Sequence, residues 1–254
     1  MTQSPFVWYD LMTPDMKSAS DFYSQVVGWR IVDSGMPGMD YAMLKASTVD
    51  VGGIMPVPPS AKNMPPMWNG YIYSPDVDAG CKRALSLGGS VFQAPMDIPG
   101  IGRFAVIADP TAATFILFTP TGTDPLPKVP DGTPGHIGWH ELHSGNAKLA
   151  WDFYAAMFGW TKGDSMEMGP VGTYQQFKVG DKAIGGMMNK MPSDPSPPHW
   201  NYYFNVDGID AAAARAKAAG GNLLFEPMQV PGGQWMFMAM DPQGASFCLL
   251  SKSR

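Results

Sequence analysis

The side chains best suited to chemistry crowd into one part of this chain. All four histidines, His136, His140, His143 and His199, fall after residue 135. The stretch 137–144, IGWHELHS, alternates as a strand does. Alternation puts Trp139, Glu141 and His143 on one face and turns His140 to the other, toward the helix layer. By the same parity His199 shares a face with Asn201. Two imidazoles and a carboxylate are the composition of a non-haem iron triad. They would equally serve as a general acid–base set, because imidazole titrates near neutral pH. Glu141, His143 and His199 are therefore the candidate catalytic residues. The competing reading is structural: His143 ends its strand and His199 follows Pro197-Pro198, and such rim residues are commonly solvated or hydrogen bonded locally. No GxSxG, P-loop or Rossmann glycine set accompanies them.

The elements that position these residues occur twice. Asp21-Phe22-Tyr23 with Gly28-Trp29 returns 131 residues later as Asp152-Phe153-Tyr154 with Gly159-Trp160. Pro65-Pro66-Met67-Trp68-Asn69 returns 132 residues later as Pro197-Pro198-His199-Trp200-Asn201, and Asp109-Pro110 returns as Asp241-Pro242. A register held this closely means a duplicated domain. Residues 121–135 carry four prolines and three glycines and form a linker. The domains are then 1–120 and 136–254.

Within the first half, Phe6–Thr13 is expected as a strand. A helix over 15–27 follows, with Met16, Ala19, Phe22, Tyr23 and Val26 on one stripe and Gly28 as its stop. Strands are expected near 41–45 and 51–55, then a Pro-rich loop over 56–66, a strand from Trp68, a helix over 76–87 closed by Gly88-Gly89, and a last strand near 114–119. The second half repeats the order, with helices near 146–158 and 208–219. Each half is β-α-β-β-β twice.

Bulk properties narrow the function classes. The 254 residues suffice for two domains of ordinary size. A net charge of −5 gives no footprint for nucleic acid. No apolar run is long enough to span a bilayer, and the start MTQSPFVWYD lacks a basic segment followed by an apolar one, so no membrane partner is expected and the cytoplasm is the expected location. Cys81 and Cys248 occupy non-equivalent repeat positions and are expected as free buried thiols. Met236, Met238 and Met240 share a strand face and are expected as core filler.

This order resembles the vicinal oxygen chelate superfamily of glyoxalases, bleomycin-resistance proteins and extradiol dioxygenases, and most of all its tandem two-domain glyoxalase-like members of the hydroxylase-labelled type. The carrying motifs are the FY then GW at the end of the first helix, Asp76-Val77-Asp78 and Val206-Asp207-Gly208-Ile209-Asp210 at the second, the Gly-Gly stop, and the closing Asp-Pro. The resemblance implies an α+β fold in which two βαβββ units pair into an eight-stranded cup per domain. It also implies a divalent metal held from the first, fourth, fifth and eighth strands.

Carried over residue by residue, those metal positions are Trp8 and Trp139, Asn69 and Asn201, and Ile116 and Cys248. The fourth strands offer no His, Asp or Glu. Such a set lacks the carboxylate and imidazole donors that a metal needs, so no metal is expected there, and a displaced divalent metal in the second domain is the remaining possibility. Alternation instead groups Trp8 with Asp10, Asn69 with Tyr71, Trp139 with Glu141, and Asn201 with Tyr203. A flat apolar wall with a few polar groups is the usual makeup of a small-molecule pocket. Trp8, Asp10, Asn69, Tyr71, Trp139, Asn201, Tyr203 and Cys248 are thus the candidate ligand-binding residues. The expected function is bleomycin-resistance-like binding of a small, partly aromatic molecule. The rivals are a lyase, isomerase or oxygenase using Glu141 with His143 or His199, and a structural protein with filled cups. Pairing into a homodimer is left open.

Overall fold

The structure is a computed structural model that describes residues 3–122 and 128–254. The expected linker falls in part on 123–127, outside the described residues. The first half runs β1 (Phe6–Thr13), α1 (Met16–Val26), β2 (Arg30–Asp33), β3 (Ala42–Ala46), β4 (Val49–Pro56), β5 (Met67–Tyr73), α2 (Val77–Ser86), β6 (Ser90–Ile98), β7 (Gly102–Ala108) and β8 (Thr114–Pro120). The second runs β9 (Ile137–Ser144), α3 (Ala147–Phe158), β10 (Thr161–Glu167), β11 (Thr173–Val179), β12 (Lys182–Asn189), β13 (His199–Asn205), α4 (Ile209–Ala218), β14 (Asn222–Gln229), β15 (Trp235–Met240) and β16 (Ser246–Ser251).

Each βαβββ unit closes in the same way. Its first strand pairs in parallel with its last, as β1 with β4, β5 with β8, β9 with β12 and β13 with β16. Within each unit the remaining pairings are antiparallel hairpins, and β1 with β5 and β9 with β13 join the units. The strands order into two eight-stranded mixed sheets, β2-β3-β4-β1-β5-β8-β7-β6 and β10-β11-β12-β9-β13-β16-β15-β14. The α+β fold of paired βαβββ units is as the motifs implied.

Local chemistry sets the helix ends. The Asp15, Asp76 and Asn146 side chains accept from the backbone N–H of Ser18, Ala79 and Leu149, respectively, supplying partners that the first turn lacks. Gly159 ends α3 at φ 67°, a left-handed cap that favours glycine. The strand β2 escapes the sequence pattern because its four residues are exposed or half-buried and carry no apolar alternation. Of the methionines of β15 only Met236 is core, at 8% exposed. Phe237 and Ala239 are fully buried, Met238 is half-buried and Met240 is 37% exposed, so the methionine face is the opposite one. Cys81 and Cys248 are buried and stand outside any disulfide.

The described residues form two compact units that each draw on both halves: 3–8, 70–122 and 139–200 make one, and 9–69, 128–138 and 201–254 the other. Inside each unit the repeated motifs tie one half to the other. Tyr23 donates to Asp241 at 3.2 Å and accepts from Trp68 Nε1 at 3.0 Å. In the other unit Tyr154 accepts from Trp200 Nε1 at 2.9 Å, with its hydroxyl turned toward Asp109. The Trp29 indole donates to Gly135 O and the Trp160 indole to Ser4 O. A Cβ on Gly221 would stand 3.0 Å from the Phe22 ring, and one on Gly89 3.0 Å from Phe153, so each helix stop seats the aromatic ring of the other half.

Tyr23→Phe should therefore cost about 2 kcal/mol, because it strands a buried indole N–H and a buried carboxylate together. Urea unfolding of the two proteins measures it, and a loss below about 0.5 kcal/mol would show that these bonds carry no net weight.

Candidate functional site

On β9 the alternation holds. Leu142 is fully buried and His140 is 4% exposed on the core face. His140 stacks on Phe6 with centroids 4.1 Å apart, and its Nδ1 lies 2.7 Å from Ile184 O. The opposite face carries Trp139, Glu141 and His143 as a hydrogen-bonded row. Trp139 Nε1 donates to the Tyr174 oxygen at 2.7 Å, the Tyr174 hydroxyl donates to Glu141 Oε2 at 3.1 Å, and His143 Nε2 lies 2.7 Å from Glu141 Oε1. The side chains of Glu141 and His143 are only 14% and 17% exposed. Burial, then the Glu141 charge, pushes the Tyr174 phenol well above its ordinary value, so it stays a donor.

Two glycines admit that tyrosine. Gly186 on β12 stands directly across from Glu141, and Gln176 on β11 pairs with Gly186. Tyr174, two residues before Gln176, reaches diagonally over the strand. A Cβ on Gly186 would fall inside its ring. The first half is built alike: Gly53 stands across from Asp10, Tyr41 lies over Gly53, and its hydroxyl donates to Asp10 Oδ1 at 2.6 Å. Parity along one strand does not reveal Tyr41 or Tyr174. The available signal was Gly52-Gly53 recurring as Gly185-Gly186.

His199 opens β13 beside this row. Its ring centroid is 5.1 Å from that of His143, and its Nδ1 is 2.9 Å from Pro197 O. Burial chiefly pulls its pKa down, and the His143 ring adds to this. A fourth group, Asp194, comes from the loop between β12 and β13. Its Oδ1 accepts from Ser196 N at 2.8 Å. Although burial raises its pKa, the Ser196 N–H and hydroxyl win, and the carboxyl sits below its ordinary range. One donor atom each from His143, Asp194 and His199 lie within 4.8 Å of one another. The structure thus brings together Glu141, His143 and His199, as the sequence suggested, and adds Asp194, which parity cannot reach from a loop.

The remaining candidates stand elsewhere. Trp8 is half-buried on β1. Tyr71 is buried, edge-on to Phe118, and in register with Ile116. Asn69 is buried with Nδ2 3.4 Å from Met67 O. Asn201 and Tyr203 are buried on β13, and Tyr203 is in register with the fully buried Cys248. Asp10, Asn69, Asn201, Tyr203 and Cys248 belong to one compact unit, and Trp8, Tyr71 and the histidine group to the other.

The donor set at the positions implied for the family's metal does not fit one. Trp139 offers an N–H that is already donated, and β12 presents glycine where a fourth-strand ligand would stand, with Tyr174 over it. Cys248 is fully buried on β16.

The fold and these residues define a class. Residues 6–116 and 135–249 match the family described as the Glyoxalase/Bleomycin resistance protein/Dioxygenase superfamily, and the chain belongs to it. Among curated proteins, CFP32 of Mycobacterium bovis, named provisionally as a glyoxylase, is 38% identical over 246 residues, covering 96% of this chain and 93% of that protein. The anthracycline biosynthesis protein DnrV of Streptomyces peucetius is 32% identical over 256 residues, covering 96% and 91%. A Mn(II)-bound glyoxalase from Novosphingobium aromaticivorans shares the fold at TM-score 0.67 and 19% identity, over 100% of this chain and 83% of that one. Among the described residues no helix is long and apolar enough to cross a membrane.

Proposed function

We propose that this chain is a glyoxalase-like protein that binds a small, partly aromatic molecule on the β9 face, with Trp139 as a stacking wall and Glu141 as the polar anchor. The observation that carries this is the Trp139–Tyr174–Glu141 row, standing where the family would place a metal ligand. A fixed indole beside an oriented carboxylate suits a flat ligand with one donor or cationic group. The role named for the 32% identical relative, anthracycline biosynthesis, supports a polycyclic aromatic as the first ligand class to try.

Titration with an anthracycline and a panel of smaller planar aromatics, read by tryptophan fluorescence, tests it. Saturable quenching is expected, weakened roughly tenfold by Trp139→Ala through loss of one aromatic contact. Absence of saturable quenching by every compound would sink the binding reading.

One geometric fact favours an enzyme as the second reading. The 2.7 Å Glu141–His143 pair, with His199 alongside, is an oriented acid–base set. If a lyase, isomerase or oxygenase reaction runs here, Glu141→Gln should abolish turnover while the protein stays folded; unchanged turnover would leave Glu141 a structural group.

A further inference from the structure

We propose that His143, Asp194 and His199 form a divalent-metal site, displaced from the position that the family uses and confined to the second half of the chain. It stands apart from the ligand-binding reading, which needs no metal.

Four observations carry it. The three residues bring one donor atom each to within 4.8 Å of one another, and the group is half-buried. Two imidazoles and a carboxylate are a donor set that holds Zn²⁺, Fe²⁺, Mn²⁺ or Co²⁺ and leaves positions for water or substrate oxygens. Each imidazole has one nitrogen held, His143 Nε2 against the Glu141 carboxylate and His199 Nδ1 against the Pro197 carbonyl, which leaves His143 Nδ1 and His199 Nε2 as the nitrogens to take a metal. Metal-binding histidines are typically held in this way: the bonded nitrogen carries the proton, and the lone pair is directed from the other. Asp194 is also held, since its N–H donates to Met191 O at 3.0 Å, Ser196 N–H donates to its carboxylate, and Lys190 Nζ donates to its carbonyl. Finally, the scaffold does not require these residues. The positions 131 or 132 residues earlier are Met12, Lys62 and Met67, and the Gly–Tyr–carboxylate arrangement forms there without them.

The test uses full-length, untagged protein stripped with EDTA. Calorimetric titration with Zn²⁺ should give one ion per chain with micromolar or tighter affinity. Glu141→Gln should weaken it about tenfold or more, the usual effect of removing an outer hydrogen-bond partner, and His199→Ala or Asp194→Ala should weaken it by more than about 100-fold. Nitrogen-15 spectra of the wild-type imidazoles provide a readout that needs no variant. Zn²⁺ should move the signals of His143 and His199 and leave His136 and His140 in place. No stoichiometric Zn²⁺ uptake, uptake that survives His199→Ala, or shifts at other histidines would each overturn the proposal. Fluorescence titration of the same EDTA-stripped protein with the planar aromatics separates the two claims. Quenching without Zn²⁺ uptake overturns the metal site alone, and Zn²⁺ uptake without quenching supports it while the binding reading falls.

Discussion

Gly186→Ala is expected to cost roughly 3 kcal/mol and to take the Glu141 clamp apart, combining overpacking with the loss of buried hydrogen bonds. The added methyl would fall inside the Tyr174 ring, so one of the two must leave. β12 is held by β9 and β11 on its two sides and cannot retreat. The ring is the part that moves, and with it go the Trp139 bond and the Tyr174 bond to Glu141. Glu141 would then keep His143 but lose the hydrogen bond from the phenol. For a chain of this size the cost corresponds to a drop of roughly 6–12 °C in melting temperature. A double-mutant cycle separates this from a general strand defect. Once Tyr174→Ala has emptied the space, Gly186→Ala should add little. If the two losses simply add, the glycine does not serve the tyrosine. Gly53→Ala should behave in the same way against Tyr41, because the first half uses the same seat over Asp10.

That seat marks where sequence reasoning runs out. Strand parity correctly sorted β9 into a core face with His140 and an opposite face with Trp139, Glu141 and His143, because period two is a property of one strand alone. Tyr174 reaches Glu141 diagonally across two strands, and only register, which pairs Gly186 with both Glu141 and Gln176, places it there. Asp194 was invisible for a similar reason: a Pro-rich loop has no periodicity from which to read direction. The duplication was legible in full, but its use was not. The FY, GW, Gly-Gly and Asp-Pro motifs look like features of one half. In the folded chain Tyr23 meets Asp241 and Phe22 meets Gly221, each supplied by the other copy. Such a pairing preserves the spacing of both repeats, so spacing alone cannot distinguish a motif completed within its own half from one completed by its twin. The residue types at the implied metal positions were legible because they are a matter of spacing, whereas the His143–Asp194–His199 group depends on the path of a loop.

Acidification should expose the cost of burying His140. Its imidazole is 4% exposed, stacked on Phe6, and bonded to Ile184 O. Burial, opposed by that carbonyl and aided by Lys182, holds its pKa down to about 4, against 6.5 for an exposed imidazole. Between those values the unfolded chain binds a proton that the folded chain refuses. The stability is therefore full above pH 6.5 and is lost as pH falls toward 4, by about 2 kcal/mol at pH 5 and about 3 kcal/mol in all. Asp109 and Asp241, raised chiefly by burial, act with the opposite sign, and His136 and His199, lowered chiefly by burial, act with the same sign. All four are common to wild type and His140→Gln, so the difference between the two proteins isolates His140. Urea unfolding at pH 7 and pH 5 should show wild type losing about 2 kcal/mol more than the variant, whatever the variant costs at pH 7. Equal losses would mean that the core opens to admit the proton. In that case the His140 ring should titrate above pH 5 in the folded protein, which its imidazole NMR signals would report directly.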